Sequence, residues 1–328
     1  MHAKTDASQA NTIKHIAALA KTIPVKINTV LAMLFLVLQG LFYFILPLLL
    51  HKTALWALCL IPITLLTTSY WSLIHETIHG TFHPHKGINQ LAGRILCLFF
   101  PAPFGVLRLG HLMHHRFNRS NLDRSEVYAG QMVKRFSTTM RFYVRLLVGL
   151  YLLEVLSSIL VLLPNRLVRS LIERNTKGEK KVLNYCEKHL LNNKAYWRNR
   201  IDAMAIIAML SGSICLYGAN WPVLLVALLL RGLFISFFDN AYHYDTRLDD
   251  RMAAYNLALS PLFAKTILYF NLHRTHHRFP SLPWNTLPRA MTLSQDETDG
   301  PYLGMSLRQL AGPRPAAEQN TVCPQALK

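Results

Sequence analysis

Four apolar runs constrain this chain more than any other feature: Val30 to Leu50, Leu55 to Ile74, Ile201 to Tyr217 and Val223 to Phe238. A helix of about 20 such residues crosses the hydrocarbon core of a bilayer. Inside that core only helices or closed barrels satisfy their own backbone groups. The runs come in pairs, split by His51-Lys52-Thr53 and by Gly218-Ala219-Asn220-Trp221-Pro222, and turns that short send the chain back to its starting side. The expected fold is an all-α integral membrane protein built on two transmembrane helical hairpins, four spans in all. Composition agrees, since 52% of the 328 residues are hydrophobic and 16% charged, outside the usual range for soluble domains.

Charge sets the expected orientation. Lys and Arg number 35 against 17 Asp and Glu, for a net charge of +18. Ten of these cations lie between Pro164 and Arg200, whereas the two short turns hold only Lys52. The positive-inside rule then places the long loop, and the flanks on its side, in the cytoplasm. A multi-pass protein of the bacterial inner membrane is expected. Nucleic acid is not an expected partner, because the charges flank apolar runs and no recognition motif accompanies them. Residues 1–29 read as a cytoplasmic N-terminal arm, 30–299 as the membrane domain, and 300–328, which lacks periodicity, as a flexible tail. Ile95 to Val106, interrupted by Pro101 and Pro103, is too short to span. Val144 to Leu163 is long enough, but one added crossing would put the last histidine cluster opposite the first two. It is expected as an interfacial or re-entrant helix. The five cysteines show no C-x-x-C spacing, so neither a disulfide framework nor a zinc ribbon is supported.

Histidine is the unusual residue here. His75-Glu76-Thr77-Ile78-His79 closes the second run with two imidazoles at i and i+4, on one helix face. His111-Leu112-Met113-His114-His115 and His273-Arg274-Thr275-His276-His277 share the pattern H-x-x-H-H, whose imidazoles also converge on one side of a helix. With His243, just past the fourth run, the count is nine. That exceeds what one metal uses and argues for a two-metal site. Neutral imidazole suits Zn, Cu, Fe and Ni, so ligand type alone does not choose among them.

The three clusters, with the last continuing as Arg278-Phe279-Pro280-Ser281-Leu282-Pro283-Trp284, resemble the histidine boxes of the membrane fatty acid desaturase and hydroxylase superfamily, over roughly Leu55 to Pro288. The resemblance implies a four-span helical fold with a cytoplasmic non-haem diiron site and O2 as co-substrate. It implies single electrons from an external donor of ferredoxin or cytochrome type with its reductase. It also implies a substrate, a fatty acyl chain or other lipid, attacked at an unactivated C–H bond. Fatty acid desaturation is the first expectation. Decarboxylation to a terminal 1-alkene, and hydroxylation or ketolation of lipids or carotenoids, share the scaffold and stay open. The expected metal ligands are His75, His79, His111, His114, His115, His243, His273, His276 and His277. In the resembling acyl desaturases a histidine after the last span joins the boxes, and some use an Asn four residues before it. This chain has Asp239 at that spacing and Asn240 one step later. Asp239 is expected either as a carboxylate ligand or as a helix-end residue orienting His243, with Asn240 supporting from nearby.

Three further features carry two readings each. Glu76 makes the first box a literal H-E-x-x-H, which in an intramembrane zinc metalloprotease would supply two ligands and a general base. That rival leaves both H-x-x-H-H clusters unexplained. In the desaturase reading Glu76 accepts an imidazole N–H. Arg231 lies inside the fourth run, where a charge is costly and marks a functional site by default. It is expected to meet a substrate carboxylate, or else to snorkel or pair with another helix. The basic segment 164–200 suits anionic lipid headgroups and, as a weaker reading, an acidic electron carrier. His83 and His85 fit either a supporting role at the site or a plain loop.

Overall fold

A computed structural model describes residues 12–124, 126–128, 132–176 and 179–316, and these are mostly helical. Helix α1 covers residues 12–19. Apolar α2 (Val25–Leu50) is followed by α3 (Ala54–Leu65) and α4 (Thr67–His79), which bend by 44° at Leu66. Helices α5 (Lys86–Phe99) and α6 (Phe104–Phe117) meet at 103°. Strand β1 (Val127–Tyr128) leads to α7 (132–160), then to α8 (Asn165–Asn175) and α9 (Lys180–Cys186). The long α10 (Asn193–Tyr217) and α11 (Trp221–Ala241) follow. Beyond them lie β2 (Leu257–Ala258), α12 (Pro261–Thr266), α13 (His273–Arg278), α14 (Leu287–Leu293), β3 (Gly300–Pro301), α15 (Tyr302–Arg308) and β4 (Arg314–Pro315).

Among the described residues, three helical stretches are long and apolar enough to cross a membrane: Val25–Leu50, Phe136–Leu160 and Asn193–Ala241. The two bent pairs would bring the number to five. The last stretch is not one straight rod. Gly218, at φ +52°, breaks it where the sequence predicts a turn, and Pro222 sits in the first turn of α11, a position where proline loses no helical bond. Ser213 and Arg231 both hydrogen-bond to Tyr43, although 18 residues of straight helix would separate them by about 27 Å. The chain therefore folds back at Gly218.

One end of the bundle holds both short turns, where His51 Nε2 lies 3.2 Å from Leu216 O. The start of α2 lies at the other end, where Asn28 Nδ2 donates to Phe82 O (2.9 Å) and Asn28 Oδ1 accepts from Trp284 Nε1 (2.9 Å). The histidine clusters sit at that second end. Helix α7 also makes contacts there. Tyr143, in its first half, donates to Leu310 O (2.8 Å), while Leu163 O beyond its end accepts from Arg200 at the foot of α10 (2.8 Å). Its middle lies against α11, where a Cβ on Gly232 would come within 3.0 Å of Val148 Cγ1.

The break between α5 and α6 explains the buried charge on α11. A helix end leaves carbonyls without helical partners, and Pro101 and Pro103 supply no N–H to replace them. Side chains do so instead. Tyr70 donates to Leu96 O, Tyr43 to Phe99 O (3.1 Å), Tyr151 to Phe100 O (3.3 Å) and Ser158 to Pro101 O (3.4 Å). Arg231, 3% exposed, adds a bond to Phe99 O (2.9 Å) and one to Gln39 Oε1 (2.7 Å). It caps a broken helix.

Two segments differ from the sequence expectation. The arm expected through residue 29 contains α1, whose Ile16 is buried with Leu272, Leu282 and Leu287, and α2 already starts at Val25. The flexible tail expected from Gly300 is instead packed through residue 316. Gln309 is fully buried, donates to Phe237 O (2.9 Å) and accepts from Asn240 (2.6 Å). Strand β3 pairs with β2 and β4 with β1. Two-residue strands have no periodicity to read, so the sequence does not signal them. Residues 1–11 and 317–328 lie outside the described residues.

Candidate metal centre

The i, i+4 geometry of the helix sorts the histidines. His75 and His79 occupy the end of α4, which stops at Gly80. With φ +83°, Gly80 takes a left-handed conformation that a side chain would resist. His111, His114 and His115 lie on the last turns of α6, and His273, His276 and His277 form α13. Five of them, His75, His79, His111, His115 and His276, bring one ligand atom each within 4.8 Å of one another. His114, His243, His273 and His277 do the same in a second group. Each i, i+4 pair (75/79, 111/115, 273/277) enters a single group, and the odd member of each H-x-x-H-H box crosses to the other. That pattern thus links two sites through one helix.

The Nε2 atoms of His79 and His111 are 2.9 Å apart, and those of His115 and His276 and of His114 and His243 are 3.0 Å apart. The His115 and His277 rings stack at 4.2 Å and join the two groups. His75 Nε2 and His277 Nε2 are buried with no hydrogen-bond partner, an arrangement that is costly unless something else binds there. Burial, then the neighbouring imidazoles, hold His273, His276 and His277 well below the usual histidine value. Burial does the same for His243, with His114 adding to it. Neutral imidazoles keep the lone pairs that a cation needs. The donor set therefore fits two metal ions of the imidazole-preferring kind.

The supporting contacts were only partly legible. His243 Nδ1 donates to Ala253 O (3.1 Å), which leaves Nε2 facing the group. His114 Nδ1 donates to Asp123 Oδ2 (2.5 Å). Burial raises that carboxyl, but the His114 charge and bond outweigh it and hold Asp123 well below the usual carboxylate range. Arg274 between the box-three ligands is clamped by Asp296 (2.6 Å) and Asp299, while Thr275 N donates to Asn256 Oδ1 (3.1 Å). These residues were missed by spacing. The signal that would have found Asp123 is the rule that a ligating imidazole gives its second nitrogen to an acceptor, which the sequence reading applied only to Glu76 and Asp239.

Several expected roles move. Glu76 joins neither imidazole group, and its Oε2 accepts from Trp284 N (3.2 Å), tying the first box to the Pro-Trp tail. A general base for a water on His75 and His79 is therefore not placed there. No carboxylate joins either group among the described residues. Asp239 instead accepts from Trp71 Nε1 (3.3 Å), and α11 ends at Ala241, before His243 is reached. Asn240 is drawn to Gln309 rather than to His243. Arg231 is buried against the α5 break, where it bonds to Phe99 O. His85 Nδ1 accepts from Ile88 N at the start of α5, and His83 Nδ1 accepts from His85 N, so both serve the loop.

A cavity of about 430 Å³ opens beside the two groups and is lined by His111, His114 and His243. Trp71, Leu107, Leu150 and Leu153 give it apolar walls, and Arg119, Asp123, Glu126, Arg145, Glu154 and Asp239 add charged groups. A chain of methylenes fits such walls, and its carbons would pass next to the imidazoles.

The profile of the fatty acid desaturase family matches residues 52–308 of this sequence. No curated protein and no solved structure matches it.

Proposed function

The chain belongs to the fatty acid desaturase family, and from that premise we propose that it is a membrane oxidoreductase that inserts a double bond into a fatty acyl chain. The observation that carries the reading is the sorting of nine histidines into groups of five and four beside a cavity with apolar walls at Trp71, Leu107, Leu150 and Leu153. Two irons, held by those nine imidazoles, would supply the O2 chemistry that a C–H bond without an acidic proton requires, with electrons from an external carrier and its reductase. The chain's own part is positional. Trp71, Leu107, Leu150 and Leu153 would hold the acyl segment and exclude water, so that one methylene pair stays near the ligands. Asp123 and Ala253 O fix the rings of His114 and His243, and the α13 clamp fixes the third box.

The proposed topology is four spans, α2, α3–α4, α10 and α11, with the metal centre on the cytoplasmic side. The contacts of Tyr143 and Leu163 at the histidine end support an interfacial or re-entrant course for α7. Labelling of single cysteines in intact cells would test this. Reaction of an impermeant reagent at Lys180 would mean that α7 crosses.

The decisive assay supplies purified protein with a reductase system, O2 and free or esterified acyl chains, and identifies products by mass spectrometry. An unsaturated product is expected. A one-carbon-shorter terminal alkene, or a hydroxylated or keto product, would replace the proposed reaction with another of the same scaffold. One zinc and no iron in active protein would overturn the metal assignment.

A further inference from the structure

Helix α6 has a second face. Its cavity side carries Leu107, His111 and His114, whereas Gly105, Arg108 and Leu112 on the opposite side wall a separate pocket of about 190 Å³. Lys188 and His189 close one flank of this pocket, and the first turns of α10 close the other with Lys194, Arg198 and Asn199. Four cations, Arg108, Lys188, Lys194 and Arg198, thus converge on one recess that no carboxylate lines. The nearby acids are engaged elsewhere, Asp202 with Arg94 (2.6 Å) and Glu187 with Arg169. The 25-residue α10 starts at the recess, so its N-terminal dipole adds to the positive field. His189 is pushed below the usual histidine value by burial, then by Lys188 and Arg108, as such a field requires.

A set of surface lysines would not by itself make a site. Asn199 supplies the second observation: it is 2% exposed, lines the recess, and its Oδ1 has no hydrogen-bond partner. Gly105 makes room for it, since a Cβ there would stand 2.2 Å from Asn199 Oδ1. The oxygen and nitrogen of a carboxamide exchange places by a half-turn. The buried amide can therefore accept from a P–OH or donate to an oxyanion. Several N–H donors around a small recess match a tetrahedral oxyanion with three or four acceptor oxygens. The recess, between three helical elements, is too narrow for the broad face of a folded protein.

We propose that this pocket binds a phosphate group, carried either by an anionic lipid headgroup or by a soluble phosphorylated molecule. The site lies on the far side of α6 from the cavity and stands independently of the reaction proposed above. Arg108 Nε also donates to Ile78 O (3.1 Å), next to His79. A bound phosphate would therefore tie α6, α10 and the first box together.

The test uses full-length protein in detergent, titrated with inorganic phosphate against chloride at matched ionic strength, with the thermal midpoint and calorimetric binding as readouts. Phosphate is expected to bind and to raise the midpoint, and the Lys194→Glu/Arg198→Glu variant is expected to bind it at least ~10-fold more weakly, since an oxyanion is held mainly by charge-assisted bonds. If that variant elutes as aggregate, Lys194→Gln/Arg198→Gln replaces it. Phosphatidylglycerol retained by wild type but not by the variant, found by mass spectrometry, identifies a lipid source. A phosphate response without retained lipid identifies a soluble one. Equal effects of phosphate and chloride, or a variant that responds like wild type, overturns the site. So does tight binding of an acidic ferredoxin at these residues with which phosphate does not compete.

Discussion

Two polar clusters are buried in this apolar body, and they differ in one respect. Around Arg231 the donors and acceptors meet: the guanidinium reaches Gln39, Tyr43 and Phe99 O, and the neighbouring tyrosines cover the rest of the α5 end. Around the histidines the nitrogens converge without enough protons to share, and His75 Nε2 and His277 Nε2 bond to nothing. Burying a polar group without a partner costs about 1–3 kcal/mol by mutational measures. A satisfied cluster is explained by the fold alone, while an unsatisfied one calls for a ligand. Charge does not separate the two cases, since the cluster with the permanent cation is the structural one.

The comparison is tested hardest by removing a member of each cluster. His276→Ala should abolish turnover and lower iron content, yet leave the metal-free protein as stable as wild type, because no hydrogen bond that the fold depends on is lost. Chelation should lower the thermal midpoint of wild type and leave this variant unmoved, since a ligand held at 100 times its Kd stabilises by about 2.7 kcal/mol. Full iron occupancy in His276→Ala would break the distinction. Arg231→Leu should do the reverse. Leaving Gln39 Oε1 and part of the α5 end uncapped should cost about 1–3 kcal/mol in detergent unfolding, while turnover per folded molecule stays near wild type. Lost acyl binding in a stably folded Arg231→Leu would return this residue to the substrate.

Asp123 sharpens the contrast, because it is a satisfied group that serves the unsatisfied ones. Asp123→Asn keeps the shape but removes the charge that orients His114 Nδ1–H. Retained iron should then fall by about 10- to 100-fold in affinity, the usual effect of removing a ligand's outer partner. Competition with a chelator measures it. Unchanged affinity would reduce the Asp123–His114 bond to a loop contact.

The sequence was informative wherever helix geometry alone decides. The spacing of His75 and His79, and of the two H-x-x-H-H boxes, fixes which imidazoles share a face, and the folded chain needs only three helix ends to bring them together. Four apolar runs and the turn at Gly218 were legible for the same reason. Contacts set by loops were not. Asp123 reaches His114 because Arg119 takes a left-handed turn (φ +63°) between them, which no periodicity announces. The Asp296 and Asp299 clamp similarly follows Gln295 at φ +53°. Arg231 suggested a ligand because a charge among apolar residues was visible, whereas the carbonyls left bare by the α5–α6 break were not. Asp239 was expected to share a helical face with His243, but α11 ends at Ala241, His243 lies in the turn beyond it, and Asp239 bonds to Trp71.

Glu76 gives the smallest expected effect and separates two enzyme classes. Its Oε2 accepts the amide of Trp284, a task that a glutamine oxygen performs equally well, and it lies 4% exposed in the first box. Glu76→Gln should therefore change stability by less than about 1 kcal/mol, within the range of one neutral hydrogen bond, and should leave turnover within a few-fold of wild type. Glu76→Ala should cost more, about 1–3 kcal/mol, because Trp284 N is then buried without an acceptor. The order separates hydrogen bonding from proton transfer. A zinc protease with an H-E-x-x-H general base would lose its activity in both variants alike, since neither glutamine nor alanine takes a proton from water. Equal and complete loss of turnover in Glu76→Gln and Glu76→Ala, with both folded and iron-loaded, would place Glu76 among the reacting groups. A graded loss that follows the stability of the Trp284 bond would keep it as the tie between the first box and the third.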